Sequence, residues 1–454
     1  MKINEVKTFY ESNEKSILWI TILIFLALRV FYIFAFGNFD KSTFLDASGY
    51  NEYAKTIVSG TEWLSQNEFL GDKREPGYPL FVATVYAIFG IESFLAVYLI
   101  QALLGTLMLC IVYRIAYLSV RSKAVSYISL VWAGFYIFYL RWVGELLRET
   151  MVYFLLAYFV FLFLKFFNDK HFRLSRIFWM SLVYTALIHT DGRYLFYAPF
   201  LAIPFLMYTK PFWHAIKQYV LFGLFVVLLT LPWTARNYFA YGDVIIVSYY
   251  TLNLTGGELS ARNELFDTSE IKKAAPSLHY NRHNENYPTG TERELILQGT
   301  NPINRSASEI RAIKQGKRAA TSFLGRKWYF FKKMWSPVNF GGAYAPFPMA
   351  YFEEGYSKGH NLVSLLQYGL LLPFAIIGML FILVKKKRVA YLIVFVTIIH
   401  MLLHLLTFGI ERYRHPVDAF IIIISMYGVM MLLAFARSRF PSKGMHNFVN
   451  LEHE

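Results

Sequence analysis

Apolar runs of about 20 residues, long enough to cross a bilayer core ~30 Å thick, recur along the chain between short polar stretches. They fall near 17–36, 94–113, 124–140, 150–167, 177–190, 194–208, 218–233, 361–383, 390–408 and 418–436. This pattern predicts an all-α polytopic membrane protein of about ten spanning helices, the backbone solution that lipid permits. The run YPLFVATVYAIFG (78–90) is equally apolar but only about 13 residues long. That length favours a re-entrant or juxtamembrane helix over a span.

Charge settles which side each loop takes. With the N-terminus cytoplasmic and 78–90 not crossing, the inner loops hold Arg114, Arg121, Lys123, Lys170, Arg173, Arg176, Lys210, Lys217, Lys385, Lys386, Lys387, Arg388, Arg437, Arg439 and Lys443. The short outer loops hold only Arg141, Arg148, Arg193, Arg412 and Arg414. A crossing at 78–90 would invert every basic loop after it, against the positive-inside rule. The expectation is a multi-pass cell-membrane protein with both termini cytoplasmic. Its parts are an N-terminal transmembrane module (1–242) with a first external loop (37–93), an extracytoplasmic subdomain of mixed character (243–360), and C-terminal helices with a cytoplasmic tail (361–454).

Composition agrees. Of 454 residues, 56% are hydrophobic and 17% charged, against about 25% charged in soluble domains. The net charge of +15 belongs to the inner loops, so no nucleic-acid partner is implied. The single cysteine, Cys110, lies in an apolar run and allows no intrachain disulfide. The first apolar segment is too long for a signal h-region and lacks a cleavage site.

Six charged segments fall on the outer face. FLDASGYNEYAKTIVSG (44–60) starts a short helix pattern after Asp46, with apolar positions at Tyr50, Tyr53, Ala54 and Ile57. Asp46 suits an N-cap, and a capped carboxylate is also a carboxylate held in place. KREPGYPLF (73–81) sets Arg74 and Glu75 before a rigid Pro-Gly turn. GELLRETMVYF (144–154) opens a span with Glu149, where an acid favours the helix N-terminus. HTDGRYLF (189–196) carries His189, Asp191 and Arg193 at a hairpin tip, and LPWTARNY (231–238) has Arg236 just after a span. FGIERYRHPVD (408–418) holds Glu411, Arg412, Tyr413, Arg414 and His415 between the last two spans. Taken singly, each has a bland explanation as a cap, a solvated pair or a polar tip. Together they concentrate arginines where positive charge is disfavoured. Arginine clamps phosphate through a bidentate fork, and a nearby acid suits proton abstraction from a hydroxyl.

The order of these pieces resembles the GT-C superfamily of membrane glycosyltransferases, closest to the family of protein O-mannosyltransferases and the bacterial aminoarabinose transferase that modifies lipid A. The resemblance covers the first span to about residue 242 and returns at 408–430. Its motifs are a first-loop D-x-x-x-Y helix (Asp46, Tyr50, ending at Gly60), a basic residue before a juxtamembrane helix ending in FG (Arg74 to Gly90), an acid at the external end of the fourth span (Glu149), PW-x-x-RN (Pro232, Trp233, Arg236, Asn237) and ERYR-x-P (Glu411 to Arg414, Pro416). The chain departs from the family at Glu75, where relatives often carry a second proline. It departs also at Ala47, where several carry a second acid, which weakens a metal site in the first loop.

The resemblance implies transfer of a sugar from a polyprenyl-phosphate donor to an extracytoplasmic acceptor hydroxyl on protein, lipid or envelope glycan, with inversion. Asp46 would act as base. Arg74, Arg193, Arg412 and Arg414 would hold the donor phosphate. Glu149 would position hydroxyls, with Tyr50, Glu75, Asp191, Arg236, Glu411 and Tyr413 as further substrate-positioning candidates. No cofactor is expected, and a divalent metal has no support. Two other classes share many of these features. One is a polysaccharide polymerase or ligase using a lipid-diphosphate oligosaccharide. The other is a lipid or solute transporter, which would bury charges at mid-membrane, where Arg29 is the clearest charged residue.

Overall fold

The computed structural model describes residues 3–39, 45–60, 75–169, 173–242, 358–406 and 411–439, with scattered positions between 244 and 337. Arg74, the side chain of Glu411 and almost all of segment 243–360 lie outside the described residues. The chain forms two compact units. One comprises Met1–Leu252, Ser336–Leu403 and Glu411–Glu454, and the other Asn253–Trp335 and His404–Ile410. In the second unit Trp328 stacks on Phe331, with ring centroids 5.2 Å apart. The first unit holds the candidate site and the helices named next, apart from the last residues of α13.

Its helices are α1 (Ile3–Phe36), α2 (Leu45–Ser59), α3 (Gly77–Phe89), α4 (Phe94–Val120), α5 (Lys123–Phe135), α6 (Ile137–Arg141), α7 (Glu149–Asn168), α8 (Leu174–Thr190), a 3-10 helix (Gly192–Leu201), α9 (Ala202–Tyr208), α10 (Phe212–Tyr241), α11 (Lys358–Ser364), α12 (Leu371–Val384), α13 (Tyr391–Leu406) and α14 (Glu411–Arg439). Among the described residues seven helical stretches are long and apolar enough to cross a membrane: Asn13–Phe36, Phe94–Val120, Glu149–Asn168, Phe212–Ala240, Asn361–Val384, Arg388–Leu405 and Arg412–Ala436.

The other apolar runs read as spans form shorter helices. The run 124–140 breaks at Tyr136, whose backbone is extended (φ −66°, ψ 109°). Gln367 satisfies the break: its side-chain oxygen accepts from the Ile137 N–H at 2.6 Å and its amide donates to the Phe135 carbonyl at 2.9 Å. An interrupted helix in lipid needs such repair. The run 194–208 starts as a 3-10 helix containing Pro199 before α9 continues it. Run 177–190 lies in α8, which is 17 residues long.

The PWTARN element differs from the sequence reading, which placed Arg236 after a span. The helix α10 instead runs on through Pro232 to Tyr241 and stops at Gly242, at φ +79°. Proline removes one ladder hydrogen bond but need not end a long helix. Asp46 differs too. The helix α2 begins at Leu45, so Asp46 lies in its first turn, where its charge still favours the helix dipole.

The helix α3 is 13 residues long, a rise of ~20 Å, shorter than the ~30 Å of a bilayer core. It packs on α2, which Gly60 terminates at φ +67°. The Tyr50 ring meets Tyr78 edge-on at 4.9 Å. The Tyr86 hydroxyl donates to Asn51 Oδ1 at 2.7 Å, and Asn51 Nδ2 donates to Glu92 at 3.0 Å. The start of α3 presses on the end of α8, where a Cβ at Gly77 would lie 2.7 Å from the His189 carbonyl. Glycine at 378 and 428 similarly lets α12 and α14 cross with backbones in contact, the small-residue packing of membrane helices.

Candidate active site

A carboxylate and guanidinium lattice gathers where α2, α3, α7, α8 and α14 meet. The helix α7 begins at Glu149, so the charge of that side chain sits at the positive end of the helix. Its Oε1 accepts from Arg412 Nε in the first turn of α14. The same guanidinium lies 3.6 Å from Asp46 Oδ2 and 5.6 Å above the Trp142 ring. The two acids differ in environment. The Glu149 side chain is 7% exposed, and its Oε2 has no hydrogen-bond partner among the described residues. The Asp46 side chain is 45% exposed.

Beside this pair, Arg148 binds on three sides. Nη1 donates to Glu75 Oε2 at 3.3 Å and to the Thr190 carbonyl at 3.2 Å, and Nη2 lies 3.7 Å from Asp191 Oδ2. Asp191 in turn grips Arg193 with both oxygens, Nε donating to Oδ1 at 2.8 Å and Nη2 to Oδ2. The Arg193 guanidinium stacks 3.7 Å from the centroid of the Tyr413 ring. Burial opposes charge on Arg148 and Arg193, and the facing carboxylates overcome it. Both are held above the ordinary arginine range, and in each the largest opposing cause is Asp191. Both are therefore cations at every working pH.

The candidates named from sequence separate into groups. Asp46, Glu149 and Arg412 meet directly, and Glu75, Asp191, Arg193 and Tyr413 join them through Arg148 and the next residue of α14. Arg414 does not. Two residues past Arg412, it turns ~200° around the helix, bonds Asp418 at 3.0 Å and lies 3.4 Å from the Tyr368 ring centroid. Its side chain is 1% exposed. Arg236 lies on α10, 5.2 Å from the Trp233 ring and 3.1 Å from Asn237 Oδ1. Tyr50 is buried against Tyr78. Among the described residues no group of three or more His, Cys, Asp or Glu side chains suits a metal ion.

Sequence reasoning placed Arg148 on the outer face without giving it a role. Its adjacency to Glu149 just before an apolar run was the available signal. It also missed a further buried pair, Arg141 with Glu145 at 2.5 Å, joined by Asn38 to Glu145 at 3.2 Å.

Chemically, the lattice offers a half-exposed carboxylate facing a cation, a buried acid with an open oxygen, and three guanidinium groups with carboxylates against them. An anion arriving here must share cations already engaged. The contacts of Arg412 with Asp46 at 3.6 Å and of Arg148 with Asp191 at 3.7 Å are looser than a charge-assisted bond of about 2.7–2.9 Å, so these are the easiest to share.

No protein-family profile and no curated protein matches the sequence. Solved structures do. The archaeal oligosaccharyltransferase AglB from Archaeoglobus fulgidus, in complex with an inhibitory peptide and a dolichol-phosphate, is 14% identical over 93% of this chain and 52% of its own, with a TM-score of 0.51. An Archaeoglobus fulgidus oligosaccharyltransferase in complex with zinc and sulfate is 12% identical over 91% of this chain and 50% of its own, at 0.52. ArnT from Cupriavidus metallidurans, bound to undecaprenyl phosphate, is 11% identical over 92% and 79%, at 0.40. The chain spans about half the length of the oligosaccharyltransferases it matches. It shares their polytopic helical membrane fold.

Proposed function

We propose that this chain is an integral-membrane glycosyltransferase that moves a sugar from a polyprenyl-phosphate donor to an acceptor hydroxyl at the outer membrane face. The observation that carries the reading is the Asp46–Arg412–Glu149 constellation: one carboxylate open to substrate, one buried, and an arginine between them. Asp46 takes the proton of the acceptor hydroxyl as that oxygen attacks the anomeric carbon. The phosphate leaves with the bond electrons and inversion results. The leaving group is stable as an anion, so it needs cations and no general acid. Arg412 and Arg193, with Arg74 from outside the described residues, supply them, and Glu149 Oε2 orients a sugar or acceptor hydroxyl. The fold supports the reading, since the AglB structure of this architecture carries a dolichol-phosphate. That neighbour is an oligosaccharyltransferase, which favours as a second reading the transfer of an oligosaccharide from a diphosphate lipid.

The test is Asp46→Asn, prepared at wild-type expression and melting temperature and assayed for sugar transfer from polyprenyl-phosphate donors. Loss of the base is expected to lower turnover about 10²–10⁴-fold. Unchanged turnover would remove Asp46 from the mechanism.

A further inference from the structure

Behind the arginine lattice, three elements distant in sequence close a circuit. The 3-10 helix carries both Arg193 and Tyr197, α13 carries His400, and α14 carries Tyr413. Arg193 stacks on the Tyr413 ring at 3.7 Å. The Tyr413 carbonyl contacts His400 Nε2 at 2.5 Å. His400 Nδ1 contacts the Tyr197 hydroxyl, and Tyr197 returns to Arg193 along one helix. His400 and Tyr197 are both buried. The Tyr194 ring packs against Tyr197 at 4.9 Å, and Tyr184 on α8 donates to the Tyr194 carbonyl at 2.6 Å, so the circuit is anchored to the bundle.

The proton positions follow from the partners. A carbonyl oxygen only accepts, so Nε2 of His400 must carry the hydrogen. In a neutral imidazole Nδ1 is then an acceptor, and Tyr197 must donate to it. The direction of both bonds is fixed: Tyr197 O–H to Nδ1, Nε2–H to the Tyr413 carbonyl. That carbonyl belongs to the first turn of α14, whose carbonyls already accept within the helix while its first N–H groups do not donate there, so the His400 bond is an added tie that bears on the placing of Arg412 and Tyr413.

We propose that His400 and Tyr197 are positioning residues, a strut of fixed proton polarity that holds the start of α14 so that Tyr413 carries Arg193 and Arg412 reaches Glu149 and Asp46. Neither residue touches substrate. The role in turnover rests on the glycosyltransferase reading above. The strut itself does not.

The experiment uses the full-length protein in nanodiscs with His400→Leu, His400→Gln and Tyr197→Phe. Glutamine can donate its amide to the carbonyl and accept from Tyr197, while leucine can do neither. Kinetics with a polyprenyl-phosphate sugar are expected to show His400→Leu losing about 10²-fold in kcat/KM, the scale of a misplaced catalytic group. The donor KM should rise and the acceptor KM should stay unchanged, with His400→Gln restoring most of the loss. A merely structural role would lower kcat through a smaller active fraction and leave both KM values alone. Equal loss in the Leu and Gln variants, or no loss in either, overturns the proposal.

A second arm needs no activity. In protein labelled with 15N-histidine, the His400 signals among the 11 histidines are assigned by their absence in His400→Gln. The expected pattern is a protonated Nε2 and a bare Nδ1, with Tyr197→Phe shifting Nδ1 alone. A protonated Nδ1 with bare Nε2 overturns the strut. Absent wild-type turnover with every donor would instead overturn the glycosyltransferase reading, and the strut would stand or fall on the tautomer.

Discussion

Arg412 lies between two carboxylates of unequal exposure, and this inequality gives it two jobs. Toward Glu149 it neutralises a buried charge. Toward Asp46 it faces an accessible carboxylate at 3.6 Å. Removing one partner of a buried pair typically costs about 3–5 kcal/mol, because the other charge stays behind. Arg412→Ala should therefore unfold at a markedly lower temperature than wild type. Arg412→Ala combined with Glu149→Gln should recover much of that loss, because no buried charge is left unpaired. Thermal unfolding of the single and double variants checks this, and equal melting temperatures for both would refute the pairing. At this scale the acids were legible in the sequence. Asp46 and Glu149 each stand before an apolar helical pattern, where a lone carboxylate is conspicuous. The partners of Arg414 were not legible, because the pattern ERYR does not show that residues two apart face opposite ways. His400 was hidden more completely. It lies inside an apolar run and meets Tyr197 across 203 residues of chain.

The short helix α3 positions the lattice as an element. It carries Tyr78 and Tyr86 into α2, follows directly on Glu75, and rests its first residue on the backbone of α8 at His189. Glycine is required at 77 because any Cβ would meet that backbone at 2.7 Å. Gly77→Val should force α3 away from α8 and loosen the bond between Glu75 and Arg148. The expected destabilisation is about 1–3 kcal/mol, as for other overpacked sites, with turnover falling further than stability. A variant with unaltered melting temperature and activity would show that the contact can relax. The length of the apolar run predicts this helix, since 13 residues cannot span. The interruption at Tyr136 had no such mark. The repair by Gln367 comes from a distant segment, and no local signal announces a break that another helix mends.

For the whole molecule, the charged motifs share one face only if 78–90 does not cross. That topology is testable because Cys110 is the single native cysteine. In a Cys110→Ala background, cysteines placed at Ser59 and at Lys386 should label from opposite sides of intact cells, Ser59 from outside and Lys386 only after permeabilisation. Labelling of both from one side would overturn the orientation. A polytopic helical membrane fold was readable from apolar run length, and the solved structures of the same fold agree with it; loop charge supplies the orientation that the labelling tests. What the alternation of apolar and polar runs does not encode is the acceptor, because that depends on which surfaces meet outside the membrane.

Transfer by the proposed route releases a lipid monophosphate. The most direct measurement is the lipid product released by the reconstituted wild-type protein, supplied separately with polyprenyl-phosphate monosaccharides and with polyprenyl-diphosphate oligosaccharides. Free polyprenyl monophosphate is expected from the first donor, released as the sugar passes to the acceptor with inversion at its anomeric carbon, and suppressed by Asp46→Asn. Consumption of the diphosphate oligosaccharide alone would contradict that route.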